Sequence, residues 1–175
     1  MGMNAFDITC GKILVSDPCY SPGTCGTVTI DNVKNGRWHA ETHLSDEGSW
    51  GKRVSALVAT HGQGAVDLDD HRWEVVGNAG VDSGQCGIWD KEAYGLNQGG
   101  DFDDERSFYG RVCHGTSVEP QMIATELFGV ASSSGFGDGG YEVYAIRVND
   151  ECLAVKIVYI GEEEYLDVED DGDNI

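Results

Sequence analysis

A chain of 175 residues with 31 Asp and Glu against 11 Lys and Arg carries a net charge of −20. That balance argues against direct nucleic-acid binding, which needs surface cations to displace counterions from phosphate. The length fits one domain with a single core, and 25 Gly beside only 3 Pro mark tight turns between short ordered segments rather than a disordered linker.

The N-terminal stretch MGMNAFDITCGKILV lacks the basic segment, apolar core and cleavage site of a secretory leader, and no apolar run approaches bilayer length. The expected setting is therefore the cytoplasm, away from membranes. There the six cysteines (Cys10, Cys19, Cys25, Cys86, Cys113, Cys152) are expected as reduced thiols, mostly small buried apolar groups.

In chain order, GKILV (residues 11–15) reads as a strand ending at the turn SDPCYSPG. GTVTI (26–30) is β-branched and alternating, and Asn35-Gly36 is the sharpest hairpin signal. In RWHAETHL, Trp38, Ala40, Thr42 and Leu44 share one face of a strand. KRVSALVATH reads as another strand, with a helical alternative, RWEVVG leads to VDSGQCGIWD, and residues 91–94 allow a helical turn. DERSFYGRVCHGT is the best helix, with Phe108 and Val112 on one face. FGVASSS, YEVYAIRV and CLAVKIVYI close the series, giving about eight to ten short strands and one or two helices. This pattern predicts a mainly β domain over residues 1–160, a β-sandwich or partly open barrel, followed by an acidic tail over 161–175.

Gly135, Gly137 and Gly140 spell G-x-G-x-x-G, but the alternating strand from Tyr141 follows where a dinucleotide-binding fingerprint needs a helix. The expected structure is a β-hairpin turn through Asp138-Gly139, with Ser132–Ser134 leaving an anion-binding alternative open. Asp17, held extended ahead of Pro18, Asp82 and Asp138 each stand at a predicted strand end. If their loops meet, the three carboxylates suit Ca²⁺ or Mg²⁺, although Asp at strand ends is also ordinary turn chemistry. His39 and His43 do not form the zinc motif H-E-x-x-H, and Cys19 and Cys25 lack zinc-ligand spacing.

The segments VSDPCY, WGKRVSAL, GVDSGQCGIWD, FYGRVC and GVASSSGFGDGGYEVYAI, in this order, resemble a family of uncharacterised bacterial and phage proteins, a domain of unknown function. Its most specific signatures are D-S-G-Q-x-G and G-D-G-x-Y-x-V-Y, and the resemblance runs over about residues 12–160. It implies a small β-rich cytoplasmic domain with no assigned reaction. It singles out Asp17, Asp82, Ser83, Gly84, Gln85, Asp138, Gly139 and Tyr141; Gly140 stands where many relatives carry Ser.

Three functions follow as expectations. The first is a binding module, more a binder than an enzyme, that sequesters a small polar molecule or nucleotide through Asp17, Asp82, Ser83, Gln85, Ser134, Gly137, Asp138, Gly139 and Tyr141. Here the Gly137 and Gly139 N–H groups donate to the ligand, and Arg147 or Lys156 offsets any negative charge on it. The second is a hydrolase using a divalent ion on Asp17, Asp82 and Asp138. The third is an inhibitor that meets a protein partner, or imitates DNA, through its acidic surface.

Overall fold

The computed structural model describes residues 4–118 and 123–161. The described residues form strands β1 (Ala5–Ile8), β2 (Ile13–Ser16), β3 (Val28–Ile30), β4 (Gly36–Asp46), β5 (Lys52–His61), β6 (Glu74–Val81) and β7 (Gln85–Asp90). Helices α1 (Lys91–Asn97) and α2 (Phe108–Ser117) come next, then β8 (Ala124–Glu126), β9 (Gly129–Ser133), β10 (Gly139–Val148) and β11 (Glu151–Val158). No helix among these residues is long and apolar enough to cross a membrane.

The strands build two antiparallel sheets, ordered β1-β4-β5-β11-β10-β6 and β3-β2-β7-β9-β8. The mainly β reading is correct, and the architecture is a sandwich. The sheets do not close into a barrel. Their edges touch, with Gly80 N donating to Gly26 O at 2.8 Å on one side and Asp7 N to Leu127 O at 3.1 Å on the other. Alternation places Phe6, Ile8, Trp38, Leu57, Val143, Val155 and Ile157 of the first sheet against Ile13, Val15, Ile88 and Val130 of the second.

The outer face of the second sheet carries its own core, where Leu14, Trp89, Tyr94, Phe108, Val112 and Ala131 pack under α1 and α2. Ser107 caps α2, its Oγ accepting from Gly110 N at 3.0 Å. The four-residue spacing of Phe108 and Val112 then drives one helical face onto Trp89.

Two turn expectations are overturned. Asn35-Gly36 is not a hairpin, because β3 pairs with β2 while β4 pairs with β1 and β5. The segment crosses between sheets instead, and Asn35 Oδ1 accepts from Gly11 N at 2.7 Å. The glycine loop is likewise a crossover, since β9 lies in the second sheet and β10 in the first. Both segments are glycine-containing because the chain must turn sharply to leave one sheet for the other. The cysteine expectation is also corrected: all six thiols are free, but only Cys86 and Cys152 are buried, and Cys19 and Cys25 are exposed.

Asp90 joins the two cores. Its carboxylate accepts from Thr9 N at 2.7 Å, Cys10 N at 3.2 Å and Ala93 N at 2.9 Å, the last capping α1. Burial opposes its ionisation, but the Ala93, Thr9 and Cys10 N–H groups outweigh burial and hold the carboxyl below the usual range. A depressed folded-state pKa gives stability that is complete above the unfolded Asp value, about 3.9, and is lost as pH falls through the folded value. Asp90→Asn is therefore expected to be less stable than wild type at neutral pH, with the gap shrinking as pH falls below about 4. Urea titrations across that range check this; a gap independent of pH contradicts it.

Candidate functional site

One end of the sandwich collects the segments that the sequence singled out. The strand ends Ser16, Val81 and Ser133 and the strand starts Gln85 and Gly139 all lie there. What gathers them is Asp17. Its side chain is fully buried, and Oδ1 accepts from Cys19 N at 2.8 Å, the two-residue reach of an Asx-turn. Oδ2 accepts from Asp82 N at 2.8 Å and Ser83 N at 2.7 Å, and Ser83 Oγ donates to Oδ1 at 2.6 Å. A buried carboxylate is stable only when its lone pairs are met, and here four donors meet them. Asp17 is thus a clamp between the β2–β3 and β6–β7 connections, not a ligand contact.

Helix α2 supplies the next layer. Tyr109, Cys113 and Thr116 recur at helical spacing beside the apolar Phe108–Val112 stripe, so they face the same end. Gln85, almost fully buried, donates from Nε2 to Cys113 Sγ at 2.9 Å and to Ser83 Oγ at 3.2 Å, and its Oε1 accepts from Thr116 Oγ1. The Tyr109 phenol lies near enough to Cys113 and Ser83 for both to act on its ionisation. Ser133 is the register partner of Gln85 and so shares its face; its Oγ is buried with no hydrogen-bond partner among the described residues. Across the rim, the Tyr20 phenol donates to Asp82 Oδ2.

Tyr20, Tyr109 and Cys19 keep their protons at neutral pH. Burial, then the neighbouring Cys113, pushes Tyr109 up to about 12. Although the Cys19 residue is exposed, partial desolvation of its thiol, then Asp17, pushes it up to about 12. Tyr20 is raised by its bond to Asp82 and by burial. Cys19 is therefore a poor nucleophile and Tyr109 a hydrogen-bond donor rather than a base. Asp82 and Asp138 are outward-facing carboxylates of this end, both exposed.

The glycine loop is closed on itself. Ser134 Oγ donates to Gly137 O at 2.9 Å, Gly137 N to Ser134 O at 3.2 Å, and Tyr141 Oη to Gly137 O at 2.6 Å. Ser134 N donates to Gly84 O at 3.0 Å, which ties this loop to the Asp82–Gln85 turn. Gly139 pairs with Val81 in the ladder. The Gly137 N–H, which the anion-binding alternative would use, is consumed inside the turn. Of the predicted contacts, Gln85, Ser134, Gly137, Gly139 and Tyr141 hold the loops, while Asp82, Ser83 and Asp138 face outward or lie half-buried at the rim.

The proposed metal triad does not assemble. Asp17 spends both oxygens on the clamp, and among the described residues no group of three or more His, Cys, Asp or Glu could hold a metal ion. The cations expected to offset a ligand's negative charge are also elsewhere. Arg147 Nη1 donates to Asp31 O at 3.0 Å and Asp150 O at 3.2 Å, beyond the far end of β10. Lys156 Nζ donates to Leu68 O at 2.6 Å and sits 4.8 Å from the Trp73 ring and 4.7 Å from the Tyr144 ring, buried on the outer face of the first sheet. Cavities of about 480, 500, 390 and 280 Å³ occur among the described residues, and none of the rim side chains lines them.

Sequence reasoning missed Tyr20, Tyr109 and the position of Cys113. For Tyr109 and Cys113 the signal was the 109, 113, 116 spacing of polar groups beside an apolar helical stripe; nothing local marked Tyr20. Set against known protein families, curated proteins and solved structures, the chain matches none of them.

Proposed function

We propose that the protein binds a small polar molecule on the shelf formed by Tyr20, Asp82, Ser83, Tyr109 and Cys113. The observation that carries this reading is the Asp17–Ser83–Gln85–Cys113 network, which fixes hydroxyl, thiol and carboxylate groups from separate segments at one rim. Such groups, held before a ligand arrives, lower the ordering cost of binding. Their chemistry selects a neutral or cationic ligand with its own donors, because Asp82 and Asp138 repel phosphate and neither Arg147 nor Lys156 stands near them. A nucleotide with several phosphates fits this shelf poorly. A cytoplasmic setting, and kinship with the phage and bacterial family that shares D-S-G-Q-x-G and G-D-G-x-Y-x-V-Y, belong to the same proposal.

Mass spectrometry of small molecules released on denaturing gently purified protein tests it. A neutral or cationic compound should leave wild type, and Tyr109→Phe combined with Ser83→Ala should retain at most a tenth of it, the loss of about 1.4 kcal/mol of hydrogen bonding. A blank, a polyphosphate, or full retention by the variant contradicts the reading.

A further inference from the structure

The same end of the sandwich presents a second surface, formed by different residues. Trp50 ends the 3₁₀ turn Gly48–Trp50 between β4 and β5 and is 69 % exposed; Phe136, at the tip of the glycine loop, is 56 % exposed. Their rings meet edge to face, with centroids 6.5 Å apart and planes at 85°. The Arg53 guanidinium lies 5.8 Å from the Phe136 centroid, and Arg53 Nε donates to Trp50 O at 3.1 Å, so one side chain ties the two segments together.

Neither ring sits on loose chain. The turn under Trp50 is closed by Glu47 N to Gly51 O at 2.9 Å, Trp50 N to Glu47 O at 3.2 Å and Gly51 N to Gly48 O at 3.0 Å. Phe136 stands between Ser134 and Gly137, which are fastened by the Ser134 and Tyr141 hydroxyls. Gly135 is required there: its φ is +66°, and a Cβ would lie 3.1 Å from Ile160 Cγ1 and 3.2 Å from Tyr159 Cβ. Large aromatic side chains fixed in place yet exposed to water are the usual anchors of protein interfaces.

Charge selects the occupant. A second copy carries the same −20 and is repelled, as are nucleic acid and anionic lipid. Asp46, Glu47 and Asp138 flank the pair, against Lys52 and Arg53. The backbone also reaches Gly161 next to Ile160, beside Gly135, and eight of the fourteen residues after Gly161 are Asp or Glu. The exposed indole face suits a guanidinium, which stacks on Trp better than on any other ring.

We propose that Trp50 and Phe136 form a pre-organised anchor for a basic protein surface, one that places an arginine on the indole and an apolar side chain against the phenyl ring.

Panning a displayed library of random dodecapeptides against the full-length protein at low salt tests this. Enriched peptides should be rich in Arg and carry an aliphatic or aromatic residue. Synthetic copies should lose about tenfold or more in affinity to Trp50→Ala and to Phe136→Ala, should weaken with salt, and should bind Tyr109→Phe as they bind wild type. That last comparison separates this surface from the ligand shelf. Both anchor variants should keep the wild-type melting temperature, because the side chains removed are exposed. Acrylamide should quench a fluorescence component that Trp50→Phe removes. No enrichment, enrichment without a basic bias, or undiminished binding by both variants overturns the proposal. A Trp50 shielded from acrylamide in the full chain also overturns it, because another part of the chain then covers the anchor.

Discussion

Asp17→Ala is expected to lower the free energy of unfolding by about 4 kcal/mol, the largest single effect at the loop end of the sandwich. The substitution removes a fully buried carboxylate and strands the N–H groups of Cys19, Asp82 and Ser83 together with the Ser83 hydroxyl. Each stranded buried donor costs about 1–3 kcal/mol unless water reaches it, and partial flooding of the rim keeps the total below the sum. Asp17→Asn should cost less than Ala yet remain clearly destabilising. Its amide nitrogen cannot accept, so one of the two oxygens' worth of donors is met by a donor instead. Guanidinium titration of the three proteins checks the order wild type, Asn, Ala. A change below about 1 kcal/mol for Ala contradicts the clamp.

The second large effect lies in the outer core. Trp89→Ala is expected to cost about 3–5 kcal/mol. The indole is fully buried, packs tilted against Tyr94 and Phe128 and edge to face with Phe108 at centroid distances of 5.5, 6.1 and 5.2 Å, and donates from Nε1 to Ser16 O at 3.2 Å. It lies flat over two glycines. A Cβ at Gly87 would come within 2.2 Å of Trp89 Cζ2, and one at Gly129, its register partner, within 2.4 Å of Cε3. Removing the ring leaves a cavity that two glycines cannot fill, and α2 loses the surface that seats Tyr109 and Cys113. Trp89→Ala should therefore lose ligand-shelf binding as well as stability. Thermal and chemical denaturation read the first, and small-molecule release reads the second. A variant of wild-type stability contradicts this packing.

The strands were legible because alternation is local. RWHAETHL sits in β4 where its period-two pattern puts it, and the apolar runs KRVSALVATH and CLAVKIVYI sit in β5 and β11. The short strands Ala5–Ile8 and Ala124–Glu126 were not, because three or four residues give too little period to read. Asn35-Gly36 and the glycine loop misled for a shared reason. Turn chemistry reports that the chain bends, but a hairpin and a crossover between sheets bend alike, and only long-range pairing separates them.

At the site, proximity was legible and role was not. The Asp17, Asp82 and glycine-loop segments do meet, through Ser83 Oγ to Asp17 and Ser134 N to Gly84 O. Yet the sequence cannot say whether a carboxylate faces water or the interior. Asp17 turns inward because Asp82 N and Ser83 N arrive from residues 65 and 66 positions away. The anchor pair was invisible for the same reason: Trp50 and Phe136 are 86 positions apart in the numbering of the chain and meet only because both turns leave the same end of the sandwich.

Amide hydrogen exchange of Asp82 and Ser83 tests the clamp most directly. These amides sit in a short connection between sheets, where exposed backbone exchanges fast. Bound to a buried carboxylate, they should exchange as slowly as the central strands β5 and β11, and Asp17→Asn should release both while leaving those strands protected. Fast exchange of either amide in the wild-type protein contradicts a shelf built on Asp17.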